Sequence, residues 1–118
     1  MNNGLSRFEL NPQGGMQPSR FTSKSAFTSE DKTEVNHFYF QSDGDSKLAG
    51  VWECAPCRED IKAYPVNEMM TVISGSVTVT ESGKASETFT VGDTFFIAKG
   101  TECVWEITET LKKFYFIA

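Results

Sequence analysis

The feature that most limits what this chain can fold into is a series of short segments rich in β-branched and aromatic residues. The segments are 37–41, 48–54, 68–74, 76–80, 86–90, 94–98, 103–108 and 112–117. Turn residues such as Gly75, Gly92 and Gly100 close them. About eight strands at short, even spacing, without a recognisable helix, predict a closed or sandwiched all-β domain. A parallel α/β sheet is excluded because no segment is long enough for a crossover helix.

The N-terminal part of the chain has a different composition. Residues 1 to about 30 are rich in Asn, Ser, Gly, Gln and Pro and sustain neither a helical nor a strand period. We therefore predict an N-terminal arm over residues 1–36 and a barrel over residues 37–118. The arm is interpreted either as partly flexible or as an ordered segment whose phenylalanines dock on the barrel or on a neighbouring subunit.

Size, charge and cysteine content limit the partners and the compartment. A chain of 118 residues with 39% hydrophobic residues is expected to form one packed domain. Its net charge of −5 provides no basic surface, so we expect neither nucleic acid nor an anionic membrane as a partner. The sequence shows no apolar run of about 20 residues, no secretory signal pattern, and an odd number of cysteines, three. A cytoplasmic location is the default expectation.

Glu68 opens one of the predicted strands and is expected to face the interior. Alternation along the strand places Glu68, Met70 and Val72 on one face. A carboxylate among apolar side chains is costly to ionise without a partner. Glu68 is therefore interpreted as a metal ligand, a ligand-binding or acid–base group, a residue satisfied by backbone and tyrosine donors, or a hydrated residue at the rim. Lys62, Lys112 and Lys113 are expected to be solvated, the alternative being a lumen-facing Lys113 that pairs with Glu68.

Aromatic residues are predicted to surround this carboxylate. Alternation places Trp52 and Trp105 towards the same interior. Aromatic walls, the polar tip of Tyr64 and one carboxylate suit a small organic ligand that carries an amine or a hydroxyl. The alternative is a filled barrel in which the rings are only core. The predicted ligand-binding residues are Trp52, Tyr64, Glu68, Met70, Cys103 and Trp105.

The cysteines are not expected to form a reactive centre. Cys54 and Cys57 have the spacing of zinc ribbons and redox pairs, but no second close pair and no helix accompany them. We interpret them as unconnected thiols, Cys54 buried on a strand and Cys57 in a turn. A carboxylate beside Cys103 would raise the thiol pKa, so Cys103 is expected to be an apolar wall residue and not a nucleophile. The single histidine, His37, is expected to be a surface or hydrogen-bonded residue.

An ordered set of motifs resembles the RmlC-like cupin superfamily. Glu68 followed by Gly75 matches the end of the first cupin motif, and Gly92-Asp93 followed by Gly100 matches the frame of the second. Over residues from about 45 to 118 the chain more closely resembles the small (S)-ureidoglycine aminohydrolase cupins. The motifs that carry this resemblance are Gly50-Val-Trp-Glu-Cys, Tyr64 to Glu68, Gly75, Gly92-Asp93, Gly100, Trp105-Glu106 and Lys113-Phe-Tyr. The resemblance implies a single-domain antiparallel jelly-roll barrel and a homodimer.

The resemblance also implies a metal-assisted site that releases ammonia from a ureido compound. In that chemistry Glu68 would be a metal ligand or acid–base group and Tyr64 would orient the substrate, so these two are the candidate catalytic residues. This chain departs from the pattern because the usual His-x-His is absent and Cys103 stands where a further histidine is expected. Divalent metals need three or four protein donors. We therefore expect no cofactor, the alternative being a Mn, Zn, Fe or Ni ion held by Glu68 and Cys103.

Taken together, the sequence predicts a cupin that binds a small, nitrogen-containing metabolite in its barrel and lacks the metal-ligand histidines. One alternative is a non-catalytic, metal-free binding or assembly protein. Another is a metal-independent isomerase or lyase in which buried Glu68 is the general base. The sequence does not decide whether the protein is an enzyme. If it is, it is expected to be a hydrolase of the ureidoglycine aminohydrolase type or such an isomerase or lyase.

Overall fold

A computed structural model describes residues 4–118 and shows an all-β protein. Within these residues the strands, in chain order, are β1 Gln17–Pro18, β2 Glu34–Gln41, β3 Leu48–Cys54, β4 Cys57–Ile61, β5 Glu68–Glu81, β6 Glu87–Thr90, β7 Thr94–Ile97 and β8 Cys103–Ile117. Their pairings are all antiparallel. The helices of the described residues are two 3-10 turns, Lys24–Ala26 and Asp43–Asp45, and neither is long enough to cross a membrane.

Two long strands, β5 and β8, run through the whole fold and pair with each other. The first half of β5 pairs with β7, and the second half pairs with β6. The first half of β8 pairs with β4, and the second half pairs with β3, which continues through β2 to β1. Alternating side chains of these strands point into one interior, where the buried apolar cluster lies. The prediction of an antiparallel jelly-roll barrel is confirmed.

The predicted turn at Gly75 is wrong. The expected strands 68–74 and 76–80 are one strand, β5, and the expected strands 103–108 and 112–117 are one strand, β8. The pairing register of β5 with β8 shifts between Val72 and Thr78, so both strands bend there instead of reversing. Gly75 has a φ of 76° at this bend, and a Cβ atom on it would collide with the backbone carbonyl of Thr110. The glycine therefore marks a bulge and not a turn.

Strands β4 and β1 were not expected from the sequence, and strand β2 begins earlier than predicted. Strand β4 contains Arg58, Glu59 and Asp60, and such a charged run resembles a loop. Strand β1 has only two residues, one of them a proline. Strand β2 begins at Glu34, three residues before the predicted start at His37. Strands β4 and β1 form because they pair with β8 and β2, and the early start of β2 comes from its pairing with the end of β3.

The arm packs on the barrel at several places. The Phe8 ring stacks on Tyr39 with 4.5 Å between ring centroids and meets the edge of Phe114 at 5.5 Å. Phe27 forms a backbone bridge with Cys57. Part of the apolar surface of the arm is therefore used within the same chain. A role of the arm in dimer contacts stays a prediction.

The Cys54 and Cys57 thiols are neighbours in the core, contrary to the expectation of two unconnected thiols with Cys57 in a turn. Cys57 begins β4, and both residues are fully buried. A hydrogen bond between the two thiols, together with burial, raises the pKa of Cys54, and the same bond lowers the pKa of Cys57. The β3–β4 connection brings them together because it contains only Ala55 and Pro56.

The bend in β5 yields a stability prediction. We expect Gly75→Ala to lower the free energy of unfolding by clearly more than Gly83→Ala, which has a similar φ of 78° but no atom within 4 Å of its added Cβ. Gly83→Ala should lower the free energy of unfolding by only about 1 kcal/mol, because its one cost is an alanine at positive φ. Urea denaturation of both variants measures the difference, and failure of Gly75→Ala to fold is the extreme of the same effect. Equal midpoints would contradict the proposed collision with β8.

Candidate functional site

A cavity of about 640 Å³ lies inside the barrel and is the candidate site. Its volume is within the range of small-molecule sites in proteins. Four of the six predicted ligand-binding residues line it, namely Trp52, Tyr64, Glu68 and Trp105. Strands β3, β5 and β8 contribute three of these residues, and the β4–β5 connection contributes Tyr64.

The Glu68 side chain is buried and hydrogen-bonded at both oxygens. Lys113 Nζ lies 2.7 Å from Glu68 Oε2, and the Tyr64 hydroxyl donates to Oε1 at 2.6 Å. Inward alternation along β8 gives Lys113 the same face as Tyr115, which lies opposite Met70 of β5. The lysine therefore reaches back towards the carboxylate at the start of β5. The expectation that Lys112 and Lys113 are solvated is wrong, since both are buried, and the alternative in which Lys113 pairs with Glu68 is confirmed.

The Lys113 ammonium lies between two indole rings. Its Nζ is 4.7 Å from the Trp52 ring centroid and 4.8 Å from that of Trp105. The two rings meet edge to face, with 6.3 Å between their centroids. Met70 Sδ lies 3.3 Å from the same nitrogen. Because ring faces and a carboxylate all stabilise a desolvated cation, the chain holds its own positive charge in an aromatic cage.

Two tyrosines provide neutral donors in the wall. Burial raises the pKa of Tyr64, and the neighbouring Glu68 carboxylate raises it further, so this phenol stays protonated near neutral pH. Burial also raises the pKa of Tyr115, whose hydroxyl donates to Asn36 Oδ1 at 2.6 Å. Both hydroxyls are hydrogen-bond donors, and neither is an available base.

A second buried carboxylate, Glu34, binds both the Trp52 side of the aromatic cage and the N-terminal arm. It accepts hydrogen bonds from Trp52 Nε1 at 2.9 Å, from Ser19 Oγ at 2.7 Å, and from the backbone N–H groups of Phe21 and Thr22, each at 2.9 Å. The indole is thereby oriented against Lys113, and the arm is held where Phe21 and Thr22 line the cavity. Sequence reasoning missed Glu34 because it lies on the arm side of the predicted boundary.

The charges around the cavity are arranged unevenly. The Lys113 ammonium and the Glu68 carboxylate cancel each other. Asp45, Glu59 and Asp60 also line the cavity, and no lysine or arginine other than Lys113 does so among the described residues. Burial raises the pKa of Glu59. An anionic ligand would therefore meet repulsion at these acidic residues, whereas a neutral ligand would not.

Met70 and Cys103, the other two predicted ligand-binding residues, lie in the core and do not line the cavity. Burial raises the pKa of the Cys103 thiol, which fits an apolar core residue. Residues 4–118 contain no group of three His, Cys, Asp or Glu side chains that could hold a metal ion. Since Lys113 and Tyr64 engage both oxygens of Glu68, the side chains at this carboxylate do not fit a divalent cation.

Comparisons with known proteins agree with this fold. The family model described as the EutQ-like cupin domain matches residues 41–115. A Pseudomonas syringae pv. tomato protein of unknown function from the DUF861 family is 27% identical, with a TM-score of 0.77 over 87% of this chain. This chain spans only 44% of that protein. Among the curated proteins none matches.

Two further solved structures resemble the chain. A DUF861 protein from Thermotoga maritima is 28% identical, with a TM-score of 0.53 over 58% of this chain and 76% of its own. A putative ethanolamine utilization protein, EutQ, from Salmonella typhimurium is 19% identical, with a TM-score of 0.62 over 90% of this chain and 81% of its own, and at this identity it shows the fold alone. Because the family model covers well over half of the sequence, this protein belongs to the family of EutQ-like cupin domains.

Proposed function

We propose that this cupin binds a small, neutral, nitrogen-containing metabolite in its barrel without a metal ion, and that the Lys113–Glu68 pair is the polar anchor. One observation carries the proposal. The Lys113 ammonium lies 2.7 Å from the Glu68 carboxylate and within 5 Å of two indole rings, on the wall of a cavity of metabolite size.

The arrangement favours a ligand in which a hydrogen-bond acceptor stands next to a donor. An ammonium has three N–H donors and a carboxylate about four acceptor sites, so both keep capacity beyond their mutual contact. An amide or ureido group can accept from Lys113 and donate to Glu68 at the same time. Its flat face can pack against Trp52 or Trp105. Because the other charged residues of the lining are acidic, neutral ligands are favoured over anionic ones.

The position of Lys113 supports a site that works without a cofactor. In the cupins that the motifs resemble, the glutamate at this place is a metal ligand. Here Lys113 supplies the positive charge from within the chain. The resemblance to ureidoglycine aminohydrolases therefore supports a ureido-type ligand, whereas the residues around Glu68 give no support to metal-assisted hydrolysis.

A second candidate function is a metal-independent acid–base enzyme, an isomerase or lyase. Tyr64, Glu68 and Lys113 form a continuous chain of hydrogen bonds of 2.6 and 2.7 Å inside the cavity. Such a chain can take a proton at Glu68 and deliver one from Lys113. In this function Glu68→Gln would abolish turnover and chelators would leave it unchanged.

Ligand binding tests the main proposal. We expect neutral compounds such as hydantoin and N-methylurea to raise the melting temperature, and their affinity to fall roughly tenfold or more in Glu68→Gln or Lys113→Met. The reason is that one hydrogen bond to a charged group contributes about 1.5–3 kcal/mol. Calorimetric titration, with circular dichroism to confirm folding, measures this loss.

The outer-face pair Glu53 and Lys112 provides the matched control. It has the same chemistry at 3.6 Å but does not line the cavity. Glu53→Gln and Lys112→Met are therefore expected to keep the affinity of the unaltered protein. If the single variants at residues 68 and 113 misfold, the double variant Glu68→Gln/Lys113→Met replaces them. Unchanged affinity in every variant would contradict the site.

Metal analysis provides an independent test. We expect protein purified without a metal-affinity tag, incubated with manganese, zinc, iron and nickel and then desalted, to retain far less than one ion per chain. Its melting temperature should not change with EDTA, because Lys113 already neutralises Glu68. Near-stoichiometric metal that is lost in Glu68→Ala would overturn the metal-free proposal.

A further inference from the structure

We infer that Lys113 is a covalent site for small, neutral aldehydes and ketones, with which its amine forms a Schiff base inside the barrel. The inference rests on the proposed function in one respect, which is that the cavity admits a small neutral molecule.

The position of Lys113 distinguishes it from every other lysine of the described residues. It is the lysine that lines the cavity, and only 6% of its side chain is exposed. Its neighbour Lys112 is also buried, but it pairs with Glu53 and contacts Asn11 outside the cavity. A carbonyl compound in the cavity therefore meets one amine, which stands beside a carboxylate that can carry its proton.

The reaction balances with the groups present. Glu68 takes a proton from the Lys113 ammonium over the 2.7 Å contact, which frees the nitrogen lone pair. The amine attacks the carbonyl carbon, a C–N bond forms, and the nitrogen proton passes to the oxygen to give a carbinolamine. Glu68 returns its proton to that hydroxyl, the C–O bond breaks, and water leaves. The products are an iminium on Lys113, a carboxylate on Glu68 and one water, and no oxidant or reductant is consumed.

The surroundings stabilise the product as they stabilise the starting ammonium. The iminium carries the same positive charge at the same nitrogen, so Glu68 and the faces of Trp52 and Trp105 act on both states. The acidic residues Asp45 and Asp60 of the cavity lining disfavour carbonyl compounds that carry a carboxylate.

Reductive trapping tests the inference on the full chain. The protein is incubated briefly with propanal, reduced with borohydride, and analysed by intact mass and peptide mapping. We expect labelling at Lys113 at least tenfold faster than at Lys112, loss of the fast adduct in Lys113→Arg, and its retention in Lys112→Arg. Glu68→Gln should slow the adduct at least tenfold, because it removes the group that carries the proton.

The mapping on the unaltered protein decides the outcome even if a variant fails to fold. Labelling confined to exposed lysines such as Lys62 and Lys84, with Lys113 unmodified, would overturn the inference. Calorimetry with N-methylurea on the same preparation separates the two proposals. Binding of the urea without an adduct at Lys113 overturns the covalent site alone. A fast adduct at Lys113 without urea binding supports the covalent site and overturns the proposed ligand class.

Discussion

The contact between Lys113 and Glu68 sets the chemistry of the barrel interior. Each charge alone would be costly to bury, and together they are stabilised by their mutual attraction, by the Tyr64 hydroxyl and by two indole faces. The contact joins β5 to β8, the two strands that run through the whole fold. One interaction therefore links the pairing of β5 with β8, the hydrogen-bonding groups of the cavity and the poor fit of the site to a metal ion.

Glu34 orients the residues that surround this contact. By holding the Trp52 indole and the backbone of residues 21–22, it connects the cage around Lys113 to the arm that lies over the cavity. The site thus depends on three distant parts of the chain, which are the arm, β3 and the β5–β8 pair. The same polar groups that orient the aromatic walls also attach the N-terminal segment.

Much of the fold could be predicted because strand alternation and turn residues are local signals. Strands β2, β3, β6 and β7 follow from such patterns, apart from their exact ends. Gly75 was misread because positive φ serves a bulge as well as a turn, and the difference depends on β8. Strand β4 was missed because its charged run becomes a strand only by pairing with β8.

The residues of the candidate site were also predictable only in part. Alternation alone identified Glu68, Trp52 and Trp105 as inward-facing, and Tyr64 was suggested by its place in the motif set. The partner of Glu68 could not be chosen among the alternatives, because Lys113 is 45 residues away and reaches it only through the register of β5 with β8. Glu34 gave no signal, since its four donors come from the arm and from β3.

A double-mutant cycle on the free energy of unfolding tests the central claim most directly. Glu68→Gln and Lys113→Met should each cost about 3–5 kcal/mol, because each leaves one buried charge unpaired. The double variant should cost clearly less than the sum of the two, whereas the partly exposed Glu53–Lys112 pair should couple by no more than about 1 kcal/mol. Additive effects at residues 68 and 113, with no more coupling than in the outer pair, would contradict the account.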